Sequence, residues 1–126
     1  MKQGDCFWND SAPRLPAHLW VIISDPELDP ENVVIVNLTD ATKFSDQTCI
    51  LRPGDHADLT KPSCVAYGFA KITSVAALKK VQQCGSISLT TPASPEMLDK
   101  ILKGAQDGDE LPNAQRERLR EQSLIA

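Results

Sequence analysis

The chain has 126 residues and a mass of 13.8 kDa, which suits one domain and leaves no room for two ordinary ones. Hydrophobic residues make up 41%, enough for a core, so disorder is excluded for most of the chain. The net charge is −4 with a sequence pI near 5.1, so the molecule as a whole lacks the positive charge that is typical of nucleic-acid-binding proteins.

The charge is unevenly distributed. Residues 1–70 hold five Lys/Arg against ten Asp/Glu, whereas residues 71–126 hold eight against seven. A polyanionic partner would therefore have to be bound through local contacts. The longest apolar run, 19–23, is far shorter than the roughly 20 residues that span a bilayer, and Asp5 stands where a signal peptide has its apolar region. We therefore expect a soluble, cytoplasmic protein that does not bind membranes.

Short apolar runs, rich in Val and Ile and bounded by Pro, Asp, Asn or Gly, predict β-strands over the first part of the chain. The predicted strands are 6–8, 18–24, 33–38, 48–51, 63–73 and, further on, 86–90. Strand 18–24 is the most apolar and is predicted to be central. The loop of about eight residues that follows it predicts an antiparallel hairpin with strand 33–38. Gly68 predicts a bend or bulge within strand 63–73.

Helix signals dominate the second part. Ser74 predicts the cap of a short helix over 75–83. The sequence Ser-Pro-Glu at 94–96 combines a capping residue, a proline at the first helical position and an acid near the positive end of the helix dipole. The apolar spacing that follows predicts a helix that ends at Gly104 or Gly108.

These elements predict a mainly β fold. Five or six short strands form a strongly bent antiparallel sheet with a C-terminal helix packed on it, and a small SH3-like barrel is the natural closure for such strands. We assign residues 1–105 to this barrel with its closing helix. Residues 113–125 predict a charged helix with little apolar face, so we set 106–126 apart as a charged tail that is flexible or orders against a partner.

The cysteines predict buried free thiols rather than a metal site. They are Cys6, Cys49, Cys64 and Cys84. No pair has Cys-x-x-Cys spacing, and only two histidines could complete a ligand set. The first three lie beside apolar residues, where a free cysteine behaves as a small hydrophobe. We expect neither a metal nor a cofactor.

Polar residues near the ends of the predicted strands are the candidates for chemistry. They are Arg14, His18, Thr39, Asp46, His56, Lys61 and Ser63. A histidine at position 18, just before the central strand, could act as a general acid or base near neutral pH. Each candidate also has an ordinary structural interpretation, such as a strand-edge histidine bonded to a neighbour or a solvated loop lysine.

Several short motifs follow one another in an order found in one protein family. They are Gly4-Asp5-Cys6-Phe7-Trp8, strand 18–24 after a Pro-containing loop, strand 33–39, Lys61-Pro62-Ser63-Cys64-Val65, and the glycine, strand and helix of 84–103. In order and spacing these motifs resemble the PemK/MazF family, the toxins of type II toxin–antitoxin systems. The resemblance covers roughly residues 4–105 and rests on order more than on any single motif.

The resemblance implies an SH3-like barrel, usually a homodimer, that cleaves single-stranded RNA without a metal and is neutralised by a small antitoxin protein. The reaction would be attack of a ribose 2'-hydroxyl on the adjacent phosphorus. Such chemistry needs a base, an acid for the leaving 5'-oxygen, and donors or a cation on the phosphoryl oxygens. DNA is not expected as a substrate.

Three residues receive catalytic roles from this resemblance. Thr39 matches the family's active-site threonine and would donate to the phosphate, and Ser63 matches a serine near the site. The family's catalytic arginine sits just before the second strand, where this chain has His18. Histidine moves protons near pH 7 but is a weaker fixed cation than arginine, so we assign His18 the acid and base role.

Three further residues are predicted to bind the substrate. The positive charge that the arginine carries in members of the family would come here from Arg14, which lies in a loop between two prolines, or from Lys61. His56 has no counterpart in the family, but its turn faces the same side of the predicted barrel.

Two rival functions stay open. A non-catalytic, toxin-like barrel would bind a protein or peptide through the groove beside loop 9–17, which the acidic first half favours. A redox or thiol protein would use Cys64 or Cys84 and would need a thiol of lowered pKa beside a basic group. His18 separates the ribonuclease from the binding module, because catalysis needs this side chain open and next to a cation.

Overall fold

Seven β-strands and three α-helices form within the residues that the computed structural model describes, which are 1–9, 17–42 and 45–126. The strands are β1 (Cys6–Asn9), β2 (Leu19–Ile22), β3 (Asn32–Asp40), β4 (Ile50–Leu51), β5 (Ser63–Val65), β6 (Lys71–Ser74) and β7 (Ile87–Thr90). The helices are α1 (Val75–Gln83), α2 (Pro95–Asp107) and α3 (Asn113–Glu121). None of the described helices is long and apolar enough to cross a membrane.

The predicted helix starts are confirmed by their caps. The hydroxyl of Ser74 accepts a hydrogen bond from the backbone N–H of Ala77, and the hydroxyl of Ser94 accepts one from that of Met97. Helix α2 ends at Gly108, one of the two predicted ends. These signals are local in the sequence, which is why they suffice to place both helices.

The strands form one antiparallel sheet in the order β4-β5-β3-β2-β1-β7, and β6 pairs with β3 beyond β5. Strand β2 lies between β1 and β3, as its apolar sequence predicts. The predicted hairpin is confirmed, with Leu19 opposite Leu38 and Ile22 opposite Ile35. Among the described residues, strand pairing does not close the sheet into a barrel. The mainly β architecture with a C-terminal helix on the sheet is confirmed.

The predicted strand over 63–73 is two strands, and this part of the prediction is wrong. A 3₁₀ turn at Tyr67–Phe69 separates β5 from β6 at the bend predicted from Gly68. Both strands then pair with the same edge of β3, with Thr39 opposite Cys64 and Val33 opposite Thr73. The sheet therefore has seven strands rather than five or six.

Both faces of the sheet are buried, but by different elements. One face packs on α2 and α3 through a core of buried residues that includes Leu19, Val21, Val34, Val36, Leu38, Met97, Ile101 and Leu119. The opposite face packs on α1 through Phe7, Trp20, Ile22, Val33, Ile35, Val75, Leu78 and Ile87. Asn37 and Thr39 lie on the second face, beyond the residues that pack on α1. That end of the sheet is where polar side chains collect.

The segment 106–126 contributes to the first core. Leu111, Leu119 and Ile125 are buried in the cluster that α2 forms with the sheet. The guanidinium of Arg116 donates to two carbonyl oxygens at the end of α2, at 2.8 and 2.9 Å. Two of the three apolar residues lie outside α3, so helical spacing alone does not predict them. The division into a domain over 1–105 and a charged tail over 106–126 stays a prediction.

Close packing at Gly104 joins α2 to the turn that bends the sheet. Tyr67 is buried, and its hydroxyl donates to the carbonyl oxygen of Ile101 at 2.6 Å. Burial raises the pKa of this hydroxyl, which keeps it protonated as a donor. A Cβ atom at position 104 would lie 2.9 Å from Cβ of Cys49 and 3.1 Å from Cζ of Tyr67.

We therefore expect Gly104→Ala to destabilise the protein. Overpacking costs about 1–3 kcal/mol, which exceeds the gain of about 0.5–1 kcal/mol from replacing a helical glycine. Urea unfolding measures the difference, with Gly54→Ala as the control because an added Cβ there has no atom within 4 Å. Equal stability of Gly104→Ala and the wild type would contradict this packing.

Candidate functional site

Four of the residues predicted from the sequence line one pocket of about 310 Å³, here called the His18 pocket. These four are His18, Thr39, Lys61 and Ser63. Trp8, Asp40, Asp58 and Leu59 also line it. The pocket opens where β2 begins and β3 ends, beside the loop that leads into β5.

The β2–β3 hairpin brings His18 and Thr39 together. Leu19 pairs with Leu38, so the same register places His18 opposite Thr39 and on the same face of the sheet. Both side chains line the His18 pocket and an adjoining one. A strand pair, rather than a flexible loop, therefore holds the two predicted catalytic residues side by side.

A backbone carbonyl fixes the orientation of the His18 ring. Ring atom Nδ1 lies 3.2 Å from the carbonyl oxygen of Leu38. A carbonyl oxygen only accepts, so Nδ1 carries the proton and the neutral ring has its lone pair on Nε2. The described residues make no hydrogen bond to Nε2, and the side chain is half-buried. His18 can therefore accept a proton from a molecule in the pocket.

Lys61, the lysine that lines the His18 pocket, is already paired with a carboxylate. The ammonium of Lys61 lies 2.9 Å from Oδ2 of Asp40, and both side chains are more than 60% exposed, at 63% and 62%. An ion pair this exposed is worth at most about 1 kcal/mol, so an incoming anion can displace Asp40. The hydroxyl of Ser63 is buried and donates to the carbonyl oxygen of Lys61 at 3.3 Å, a long bond.

Asp58 belongs to the site, although the sequence analysis did not single it out. Its Oδ2 accepts from the Thr90 hydroxyl at 2.6 Å and from the Trp8 indole N–H at 2.8 Å. These two bonds, that of Thr90 foremost, lower the pKa of the Asp58 carboxyl. The three residues are far apart in the chain, and no local pattern signals their contact.

His56 does not line the His18 pocket, so the structure gives no support to its predicted role in substrate binding. The ring is only 5% exposed. Its Nδ1 accepts from the backbone N–H of Asp58 at 3.0 Å, so Nε2 carries the proton and donates to the carbonyl oxygen of Thr91 at 2.6 Å. His56 thereby fixes the loop that presents Asp58. The other predicted substrate-binding residue, Arg14, lies outside the described residues.

A second pocket, of about 450 Å³, adjoins the first and is here called the Phe69 groove. Its lining residues are His18, Trp20, Asn37, Thr39, Ala66, Phe69 and Lys71. The ammonium of Lys71 lies 5.3 Å from the centre of the Trp20 ring, within cation–π distance. No function was predicted from the sequence for Asn37 or Lys71.

Two of the four thiols, those of Cys6 and Cys49, are unsuited to redox chemistry, and the thiol function assigned to Cys64 or Cys84 stays a prediction. Cys6, Cys49 and Cys64 are buried, as predicted, and Cys84 is exposed at the end of α1. Burial raises the pKa of Cys6 to about 12 and also raises that of Cys49. Neither thiol is therefore activated near neutral pH.

Compared with models of known protein families and with curated proteins, the chain matches none. Within the described ranges, His, Cys, Asp and Glu side chains do not gather in groups of three or more that could hold a metal ion. The function therefore has to be argued from the geometry of the His18 pocket and the Phe69 groove.

Asp58→Asn tests the hydrogen bonds that Trp8 and Thr90 donate to the Asp58 carboxylate. The folded-state pKa of Asp58 lies below its ordinary value of about 3.9, so its stabilising contribution is present above about pH 4 and is lost as the pH falls through the folded value. We expect Asp58→Asn to lower the free energy of unfolding by about 1 kcal/mol at pH 7, and by less at pH 3. Urea unfolding at both pH values measures this.

The control for this comparison is Asp99→Asn, which changes an exposed carboxyl on α2. We expect that variant to match the wild type at both pH values. A loss for Asp58→Asn that does not change with pH would show that its charge is not what the two donors stabilise.

Proposed function

We propose that this protein is a metal-independent endoribonuclease that cleaves single-stranded RNA, with His18 as the proton carrier. The observation that supports it is the gathering of His18, Thr39, Lys61 and Ser63 around one pocket. The unoccupied Nε2 of His18 adds to this support, since a catalytic base needs a lone pair that faces the substrate.

The proposed reaction is an in-line displacement at phosphorus. Nε2 of His18 removes the proton of the ribose 2'-hydroxyl, the 2'-oxygen bonds to phosphorus, and the bond to the 5'-oxygen breaks. The products are a 2',3'-cyclic phosphate and a 5'-hydroxyl. Attacking and leaving oxygens lie on opposite sides of phosphorus, so a second group, the Lys61 ammonium or a water molecule, gives a proton to the 5'-oxygen.

The same pocket holds hydrogen-bond donors that would stabilise negative charge on the phosphoryl oxygens. The hydroxyl of Thr39 lines it beside His18, and the hydroxyl of Ser63 has only a long bond to give up. Lys61 supplies positive charge once the phosphate displaces Asp40. Preorganised donors of this kind stabilise charge that develops in the transition state.

The proposal extends to the wider role that the PemK/MazF resemblance implies. We infer an SH3-like fold, a cytoplasmic homodimer and a small antitoxin protein as its partner. The interruption between β5 and β6, which pair with the two ends of one edge of β3, is of the kind that bends a sheet and supports a barrel-like shape.

A second candidate function is binding of a protein or peptide without catalysis. The acidic lining favours it, because Asp40 and Asp58 face the His18 pocket with Lys61 as the cation opposite. A basic peptide would satisfy such a surface better than RNA does. The two experiments below separate the candidates.

The first experiment is cleavage of a mixed-sequence single-stranded RNA in EDTA, with wild type beside His18→Ala. We expect the wild type to leave 2',3'-cyclic phosphate ends and the variant to be slower by about 10²–10⁴-fold, the usual contribution of a general base. Lys103→Ala, an exposed change on α2, is the control and should cleave as the wild type does.

Three outcomes bear on the proposal. Cleavage that survives His18→Ala would keep the enzyme and reject its proton carrier. Absence of cleavage by folded wild type would reject the enzyme and favour the binding module. Cleavage lost in His18→Ala, with an unchanged thermal melting curve, is the expected result.

The second experiment tests whether Asp40 restrains Lys61. Asp40→Asn frees the ammonium, so we expect tighter RNA binding and a steeper salt dependence, whereas Lys61→Ala should reduce the slope of log affinity against log salt by about one. Fluorescence anisotropy with an uncleavable 2'-O-methyl oligonucleotide measures both.

The matched control is Asp107→Asn, which makes the same change of charge at the exposed Lys103–Asp107 pair on α2. It should leave RNA affinity close to that of the wild type. If Asp40→Asn and Asp107→Asn have the same effect, net charge alone is responsible and Lys61 does not contact the phosphate.

A further inference from the structure

The ring of Phe69 is held outward by the backbone. It is 74% exposed, while its neighbour Tyr67 in the same 3₁₀ turn is buried. The N–H of Phe69 donates to the carbonyl of Ala66 at 3.0 Å, and the N–H of Ala70 donates to that of Tyr67 at 3.1 Å. The turn is therefore fixed on both sides of Phe69, and its ring forms a preset flat apolar surface at the rim of the Phe69 groove.

Asn37 provides an unused polar group in the same groove. The residue is only 6% exposed, and its Oδ1 is buried without a hydrogen-bond partner. Unpaired buried acceptors are rare in folded proteins, because the lost hydration is not replaced. Asn37 lies opposite Trp20 in the β2–β3 pair, at the floor of the groove. The oxygen is not accessible from the groove as the amide stands, so the amide has to turn before an N–H at the edge of a ligand can donate to it.

The charge of the groove suits a polyanion. Lys71 lines it, and none of its described lining residues is a carboxylate. The adjoining His18 pocket, by contrast, is lined by Asp40 and Asp58. His18 and Thr39 line both spaces, so a group bound in the groove lies directly beside the proposed site of phosphate chemistry.

We propose that the Phe69 groove binds one nucleobase of the RNA next to the cleaved phosphate. Phe69 stacks on the base, Asn37 accepts an N–H from its Watson–Crick edge after a turn of the amide, and Lys71 contacts the flanking phosphate. Aromatic stacking with a cation alongside is how proteins hold single-stranded nucleic acid. The inference rests on the proposed ribonuclease function and adds to it a site that selects where the chain is cut.

Binding of a short, fluorescently labelled 2'-O-methyl oligonucleotide tests the groove without any cleavage. At one fixed salt concentration we expect Phe69→Ala to bind roughly tenfold more weakly and Phe69→Trp to bind within about twofold of wild type. Leu28→Ala is the control, because Leu28 is 62% exposed and lines none of the pockets described above. Unchanged affinity in Phe69→Ala would overturn the proposal.

Asn37→Leu gives a second and independent test. Removing an unpaired buried acceptor should leave the urea midpoint unchanged or higher, while oligonucleotide affinity falls by roughly fivefold for one lost hydrogen bond. A purely structural role predicts the opposite pair of results, a lower midpoint and unchanged affinity, and that result would overturn the role of Asn37.

The same samples, assayed for cleavage of RNA in EDTA, separate this inference from the proposed function. Cleavage by wild type that is equally fast and at the same positions in Phe69→Ala would keep the ribonuclease and overturn the groove. Phe69-dependent binding without cleavage would support the groove and reject catalysis. Wild type that binds no oligonucleotide would overturn both and favour a protein partner.

Discussion

The pairing of β3 on both of its edges is the constraint on which the rest of the structure depends. Within β3, residues 35–38 pair with β2 on one side, and residues 38–40 and 32–35 pair with β5 and β6 on the other. Because side chains alternate along a strand, β3 has to supply two faces at once. Val34, Val36 and Leu38 face the core formed with α2 and α3, whereas Val33 and Ile35 face α1. The second face continues past α1, and its remaining positions, Asn37 and Thr39, become the floor of the candidate site.

The two histidines differ in how many of their ring nitrogens are occupied by backbone groups. Both ring nitrogens of His56 are occupied, one by the N–H of Asp58 and one by the carbonyl of Thr91. Among the described residues the ring of His18 has one hydrogen-bond contact, with a carbonyl that fixes the proton on Nδ1 and leaves Nε2 without a partner. A histidine in a turn and a histidine before a strand look alike in the sequence without their partners, so both were candidates, His18 for proton transfer and His56 for substrate binding.

Elements with local signals could be predicted from the sequence. The capping serines before α1 and α2, and the short connection between β2 and β3, each depend on residues that are close in the chain. The same hairpin brings His18 next to Thr39, which is why part of the candidate site was also predictable.

Contacts between distant segments could not be predicted. The Asp58 carboxylate depends on Trp8 and Thr90, which lie 50 and 32 positions away. The division of 63–73 into two strands depends on pairing with β3. An apolar residue such as Phe69 is expected to be buried in the core, yet the turn that buries Tyr67 directs the ring of Phe69 outward. In each case the surrounding structure, rather than the residue type alone, decides where the side chain lies.

The acidic composition is less of an obstacle to an RNA substrate than the net charge of −4 indicates. Asp58 already accepts from two protein donors, so much of its charge is satisfied within the fold. Asp40 is neutralised by Lys61, and a phosphate that takes its place gains the ammonium. The Phe69 groove, which shares His18 and Thr39 with the His18 pocket, is lined by Lys71 and by no carboxylate among its described lining residues. Asp46 and Glu110 line a further pocket beside Phe69 and Thr39, so they belong to the local field that an RNA strand would meet. Acidic groups farther away than the Debye length, about 8 Å in physiological salt, are largely screened.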